Sequence, residues 1–178
     1  MKLFKVYLIV FLIVFLFFGI SRFFPHTYYV ERSIVINKPV ETTFAFLSNY
    51  HNWEKWSLWD KNIDSTLIFF YNKKQDTLGA RQYFNGDLLG KGYFETTLFK
   101  RNEVIQFKLS VNRDERTAAG TFSFIANENN TTELHWIDSG DVGNNPLKRY
   151  MIPYVTKNTS VTLDQGLERI KNEVEKLP

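Results

Sequence analysis

Between residues 66 and 139 the chain alternates repeatedly between period-two apolar runs and short polar turns, and this cadence limits its fold more than any other feature. The predicted strands cover 66–71, 79–85, 90–100, 103–111, 118–126 and 131–139. The connections 72–76, Gly86-Asp87, Arg101-Asn102 and 127–130 are rich in Asn, Asp, Gly and Lys. Antiparallel strands can be joined by loops this short, whereas parallel neighbours need a crossover of a dozen or more residues. The segment therefore reads as consecutive hairpins in one antiparallel sheet, and a doubly wound parallel sheet is excluded. Strand parity assigns the faces. Ile105, Phe107, Leu109 and Val111 share one side, opposite Gln106, Lys108 and Ser110. Phe122 and Phe124 share a face with Gly120, as Leu134 does with Trp136.

Helical periodicity brackets this region. Leu163, Leu167, Ile170, Val174 and Leu177 recur at four, three, four and three residues, which predicts a long amphipathic helix beginning near Lys157. Upstream, Ile34 and Ile36 alternate in a strand predicted over 28–37, and Pro39 ends it by removing a backbone donor. Val40, Phe44 and Leu47 then form a short helical stripe. Trp53, Trp56 and Trp59 follow at intervals of three. Each combines a large apolar ring with one polar edge, which suits a pocket mouth as well as a core. The polar stretch 60–65 reads as a loop.

The N-terminus has a different character. Residues 6–20 are an unbroken apolar run between Lys5 and Arg22. Taken alone, that run would reach about 22 Å of a roughly 30 Å hydrocarbon core. Counting from Leu3 to Phe24, with Lys5 and Arg22 snorkelling, it becomes long enough to cross. The expected organisation is a transmembrane anchor and linker over 1–26 and one folded domain over 27–178. A cleavable signal peptide is the competing reading, since Gly19 and Ser21 are small residues at suitable −3 and −1 positions. Lys2, Lys5 and the short N-tail favour a single-pass membrane protein with an extracytoplasmic domain, against Arg22, Arg32 and Lys38 on the other flank.

Several chemistries find no support. A net charge of +3 with interspersed signs gives no concentrated basic face, so nucleic acid is not an expected partner. The absence of cysteine removes disulfides and thiolate metal sites. Asp60, Asn62 and Asp64 begin like a calcium loop, but Ser65 stands where the sharp turn needs Gly, and Tyr71 where the bidentate Glu belongs. His26, His51 and His135 are scattered, and no nucleophile elbow, phosphate loop or dinucleotide glycine pattern occurs. No metal and no cofactor is expected. His135 has the parity of a solvent-facing residue.

The stretch Lys38-Pro-Val-Glu-Thr-Thr-Phe44, followed by Asn52-Trp-Glu-Lys-Trp-Ser-Leu-Trp59, resembles the opening of the SRPBCC superfamily. This is the polyketide cyclase/dehydrase and lipid-transport group that includes START-like proteins. Gly79-Ala-Arg81, Gly90-Lys-Gly92 with Glu95, Leu134-His-Trp136 and the run from Gly140 to Met151 follow in matching order. The resemblance runs from about Tyr28 to the C-terminus and departs from many members in the N-terminal apolar segment. It implies an α+β helix-grip fold: a strongly bent antiparallel sheet of about seven strands, two short helices, and the long C-terminal helix over an apolar concave face.

Such a fold leaves a cavity where sheet and helix pack incompletely. The expected lining combines Trp56 and Trp59 from the helical side with Phe84, Tyr93, Phe107, Phe122, Phe124 and Trp136 from the strands. Tyr150, Met151 and Tyr154 are expected at the entrance, where Lys148 and Arg149 could also meet lipid headgroups. Asp138 shares parity with Trp136. It either stays in the strand and brings a carboxylate to the pocket rim, or leaves it to cap the Ser139-Gly140 turn. Tyr83 is a further candidate hydroxyl. The expected function is non-catalytic binding of a hydrophobic small molecule or lipid, with membrane attachment through the N-terminal helix. The alternatives are a cyclase- or dehydratase-type enzyme using Asp138 or Glu95, and a ligand-free interaction or sensing domain.

Overall fold

The computed structural model describes residues 2–112 and 116–178. In chain order the elements are helix α1 (Lys2–Ser21), strand β1 (Thr27–Ile36), helix α2 (Val40–Ser48), a 3-10 turn (Tyr50–Asn52), and helix α3 (Trp53–Trp56). Strands β2 (Ile68–Tyr71), β3 (Arg81–Gly86), β4 (Gly90–Lys100), β5 (Val104–Val111), β6 (Arg116–Ala126) and β7 (Thr132–Asp141) follow. Helices α4 (Pro146–Tyr150) and α5 (Ile152–Glu175) close the chain. The seven strands form one curled antiparallel sheet in the order β1-β7-β6-β5-β4-β3-β2. Each predicted hairpin is present, and β1 returns to pair with β7 from Thr27↔Asp141 to Ile36↔Thr132.

A register shift between Thr96 and Leu98 in β4 interrupts the ladder with β5, as a bulge does where a sheet bends. The concave face carries the predicted parity in β5 to β7, where Ile105, Phe107, Phe122, Phe124, Leu134 and Trp136 are buried; in β4 the buried residue is Phe94 and not the expected Tyr93. Gly120 is required here. A Cβ at that position would lie 2.0 Å from the Phe107 ring, which crosses over the strand. Helix α5 covers this face with Leu163, Leu167, Ile170 and Val174, all at most 2% exposed. Its outer residues tie it to β1: Arg32 meets Asp164 at 3.1 Å, and Lys171 donates to the Val35 carbonyl at 2.7 Å.

Strand ends differ from the sequence expectation by one or two residues, and two boundaries bear on the site. Helix α5 begins at Ile152, five residues before the predicted start, with Pro153 in its first turn, where a missing N–H costs nothing. Periodicity missed these turns because Tyr154 and Val161 are exposed and extend no apolar stripe. Just before it, Asn145 caps α4 by accepting from the amides of Leu147 and Lys148. Strand β7 continues to Asp141, past the predicted end at 139, because β1 supplies partners as far as Thr27.

Helix α1 carries exposed apolar side chains along most of its length and is long and apolar enough to cross a membrane. Its last turn meets α4. Tyr150 donates its hydroxyl to the Phe17 carbonyl at 2.8 Å, and its ring lies 4.8 Å from Phe17 and 4.7 Å from Phe24.

Replacing Leu167 with Ala removes a fully buried side chain from the α5–sheet contact. The expected loss is about 2–5 kcal/mol of unfolding free energy, measurable by denaturant titration. An unchanged midpoint would show that α5 contributes little to holding the sheet.

Candidate functional site

Helix α5 and the sheet do not close completely. A cavity of about 140 Å³ remains between them. Its floor is Phe94 of β4, Phe107 and Leu109 of β5, and Trp136 and Asp138 of β7. Trp53 and Trp56 of α3 and the following residues Ser57, Leu58 and Trp59 form one wall, and Thr159, Thr162, Leu163 and Gly166 of α5 the other. Gly166 lets the helix approach the sheet, since a Cβ there would lie 2.5 Å from the Trp136 ring.

The aromatic side chains make a continuous framework. The Trp53 ring lies 5.1 Å from Trp56, 5.3 Å from Phe94 and 4.9 Å from Phe107, and Trp56 meets Trp136 edge-on at 5.5 Å. Their polar edges fare differently. The Trp53 indole N–H donates to the Leu47 carbonyl at 2.8 Å, so this residue is fixed structurally. The Nε1 atoms of Trp56 and Trp136 are buried and have no hydrogen-bond partner among the described residues. An open buried donor costs about 1–3 kcal/mol, and two of them belong to residues lining one cavity.

Asp138 supplies the other polar function. It remains within β7 opposite Val30, so the turn-capping alternative is corrected: the ladder with β1 holds the residue in the strand and its parity turns the side chain inward. Its carboxylate accepts from the Tyr28 hydroxyl at 2.9 Å. Burial raises the Asp138 carboxyl to about 6, while the hydrogen bond from Tyr28 works in the opposite direction. The Tyr28 hydroxyl is itself pushed upward, first by burial and then by the neighbouring Asp138 charge. Sequence reading missed Tyr28, although extending the parity of Ile36 and Ile34 back along β1 through the buried Val30 reaches it.

Of the sequence candidates, Trp56, Trp59, Phe107, Trp136 and Asp138 line the cavity together. Phe84 and Phe122 lie behind it, Phe84 against Trp59 at 4.6 Å and Phe122 beneath Trp56 and Trp136. Phe124 packs with Phe44 and lines no part of the cavity. Tyr93 has the parity opposite Phe94 and stands on the other face, where the Arg81 guanidinium lies 5.0 Å from its ring. Tyr83 and Glu95 share that face, both bonded to Arg81, so neither is available to the cavity. Tyr150 packs on α1, and Met151 and Tyr154 are exposed near that junction. His135 also points away from the cavity, between Glu31 and Glu133 at 3.2 Å each. The residues that periodicity could not supply are Thr159, Thr162 and Gly166, which belong to no apolar pattern.

The calcium-like segment has a structural occupation. Asp64 is buried and accepts from Thr66 N, Thr66 Oγ1, Leu88 N and Leu89 N, clasping two loops together. These bonds, led by that from Thr66, lower its carboxyl to about 2. Asp60 caps Asn62 and Ile63 and pairs with Arg169 at 3.1 Å. No group of three His, Asp or Glu side chains able to hold a metal occurs among the described residues.

No protein-family model matches the chain, and no curated protein matches it significantly. Its likeness is to solved structures. A Bacillus halodurans protein, solved in solution, superposes with a TM-score of 0.62 at 16% identity, covering 83% of this chain and 97% of its own. A Mesorhizobium loti protein gives 0.60 at 17% identity over 85% and 98%. Truncated norcoclaurine synthase from Thalictrum flavum gives 0.60 at 10% identity over 85% and 96%. At these identities the likeness is of fold, and the architecture is helix-grip.

An ordinary carboxyl titrates near 3.9, so folding takes up a proton at Asp138 between roughly pH 4 and 6. The raised pKa means that this residue opposes folding least below pH 4, and that stability is lost as pH rises through about 6. Asp138→Asn should therefore be more stable than the parent by about 2 kcal/mol at pH 7.5, with the difference vanishing near pH 4. Parallel stability curves across that range would place Asp138 in water.

Proposed function

We propose that this chain is a membrane-anchored helix-grip protein of the SRPBCC type whose cavity binds a small, mostly apolar molecule bearing a hydrogen-bond acceptor. The observation that carries this reading is an aromatic cavity two of whose lining residues, Trp56 and Trp136, have buried indole N–H groups without a partner among the described residues. In a finished core such donors are paired. Here a ligand oxygen would satisfy them while its apolar body displaces water from the aromatic surface. Asp138 offers a proton below about pH 6 and an acceptor above it.

Size narrows the ligand class. An apolar cavity of roughly 150 Å³ holds benzene, and drug-sized ligands need roughly 300–1,000 Å³. At about 140 Å³ the cavity suits a single ring or a short branched chain, and a lipid would enter with one segment only. The anchor reading is supported by α1, a helix of membrane-crossing length with an apolar surface left uncovered.

A second reading is favoured by Asp138 alone. A half-buried carboxyl raised to about 6 beside a cavity is suited to proton transfer, which would make the protein an enzyme. The likeness to norcoclaurine synthase supports the scaffold for such a role and not the reaction. Asp138→Asn separates the two readings: binding persists in both, and only an enzyme loses turnover.

The test is saturation-transfer NMR on the full chain with cyclohexanone and methylcyclohexane, which share a ring and differ in the acceptor. Cyclohexanone should bind about fivefold to a hundredfold more tightly, from the roughly 1–3 kcal/mol recovered at the open donors. Thr162→Phe should fill the cavity and abolish both signals. A folded protein that binds neither ring would end the binding reading and leave the interaction-domain alternative. Separately, the full chain should resist carbonate extraction from membranes. A soluble mature chain starting at Arg22 would instead show cleavage after Ser21.

A further inference from the structure

All 19 acidic residues of the chain lie outside two segments, 1–30 and 142–163. These segments contain Lys2, Lys5, Arg22, Lys148, Arg149 and Lys157, and they meet in the folded protein. The contact is Tyr150 of α4, bonded to the Phe17 carbonyl and packed against the tilted rings of Phe17 and Phe24, with Ser21 buried beside it. Around this contact apolar side chains are left open to solvent: Phe23 is 89% exposed, Leu147 64%, Met151 52% and Tyr154 63%. Arg149 is turned inward, bracing the preceding turn through the Gly143 carbonyl and the Asn144 side chain. Arg22, Lys148 and Lys157 remain exposed. The acid that borders the patch, Asp141, is engaged by His26 at 3.2 Å and by the Gly143 amide.

We propose that α4 and the first turn of α5 form a membrane-docking face that lies at the boundary between headgroups and acyl chains of an anionic bilayer. This rests on the reading that α1 spans that bilayer. Geometry then sets the depth. Phe17 stands four residues before the end of α1, which places its contact with α4 about 6 Å along the helix axis inside the apolar span. Anything packed at that level is held within the interface. The composition of the face fits the place: aromatic and aliphatic side chains at headgroup depth, cations for lipid phosphates, and no carboxylate in either segment. A protein partner would explain the apolar side chains equally well. It would explain neither the depth imposed by α1 nor the exclusion of acids from both segments.

Because the chain has no cysteine, single-cysteine variants can carry a fluorophore without background. Three are needed in the full-length protein, reconstituted in nanodiscs of phosphatidylcholine with or without phosphatidylglycerol. Val10→Cys reports α1, Leu147→Cys reports the docking face, and Ile125→Cys, near the far end of β6, is the control. Nitroxide lipids labelled on the acyl chain should quench the Val10 probe. Nitroxides on the headgroup should quench Leu147 well above Ile125, and more strongly with phosphatidylglycerol. Lys148→Glu combined with Lys157→Glu should weaken the anionic preference by roughly fivefold per charge. If Val10 is quenched while Leu147 matches Ile125, the docking face is wrong and the anchor stands. If Val10 is not quenched, both fall. A Leu147 probe shielded from aqueous iodide yet untouched by headgroup nitroxides would assign the face to a protein partner and overturn the proposal.

Discussion

The fit of α5 into the curled sheet is the contact on which the rest of the molecule depends. A seven-stranded sheet with one aromatic face cannot leave that face in water, and one helix supplies its cover. The stripe from Leu163 to Val174 does this over the C-terminal half of α5. Continued towards the N-terminus, the same surface reaches Thr162 and Thr159, whose short polar side chains cannot fill the space above Phe107 and Trp136. The cavity opens where the apolar stripe runs out. Gly166 marks the boundary, bringing the backbone onto the Trp136 ring so that packing is tight on one side and incomplete on the other.

Within that opening, polarity is confined to a few atoms. Trp53, Trp56 and Trp136 belong to the same aromatic framework, yet only Trp53 has its N–H paired. A fully structural cluster would pair all three, because the cost of an open donor rises as water is excluded. Asp138 follows the same logic from the acceptor side. Its single side-chain bond, from Tyr28, is insufficient to offset burial, so the carboxyl stays readily protonated. Asp64 shows the contrast within the same chain. Buried, it collects four hydrogen bonds and is held strongly ionised. One half-buried and one buried carboxylate thus have opposite electrostatic fates, and only the one left undersatisfied faces the cavity.

The N-terminal helix is joined to this body through α4, and the cavity lies on the same side of the fold. Tyr28, one residue into β1, reaches the Asp138 carboxylate at the cavity wall, and β1 itself starts six residues after the end of α1.

By itself, the sequence determined the six consecutive antiparallel strands from β2 to β7, the inward set Phe107, Phe122, Leu134 and Trp136, and the helical stripe that covers them. These are local properties: side-chain parity, helical period and turn chemistry act over a few residues and survive into the fold. Asp138 was legible as a candidate by parity, but its fate depended on how far β7 would extend, and that was decided by pairing with β1 more than a hundred residues earlier in the chain. Tyr93 and Glu95 looked plausible until the sheet assigned them to its other face. Thr159, Thr162 and Gly166 carry no pattern, since a cavity is defined by where packing fails and no local rule encodes a failure between distant elements. The unpaired indoles belong to the same class. Which tryptophan finds an acceptor is settled only when α3, β7 and α5 come together.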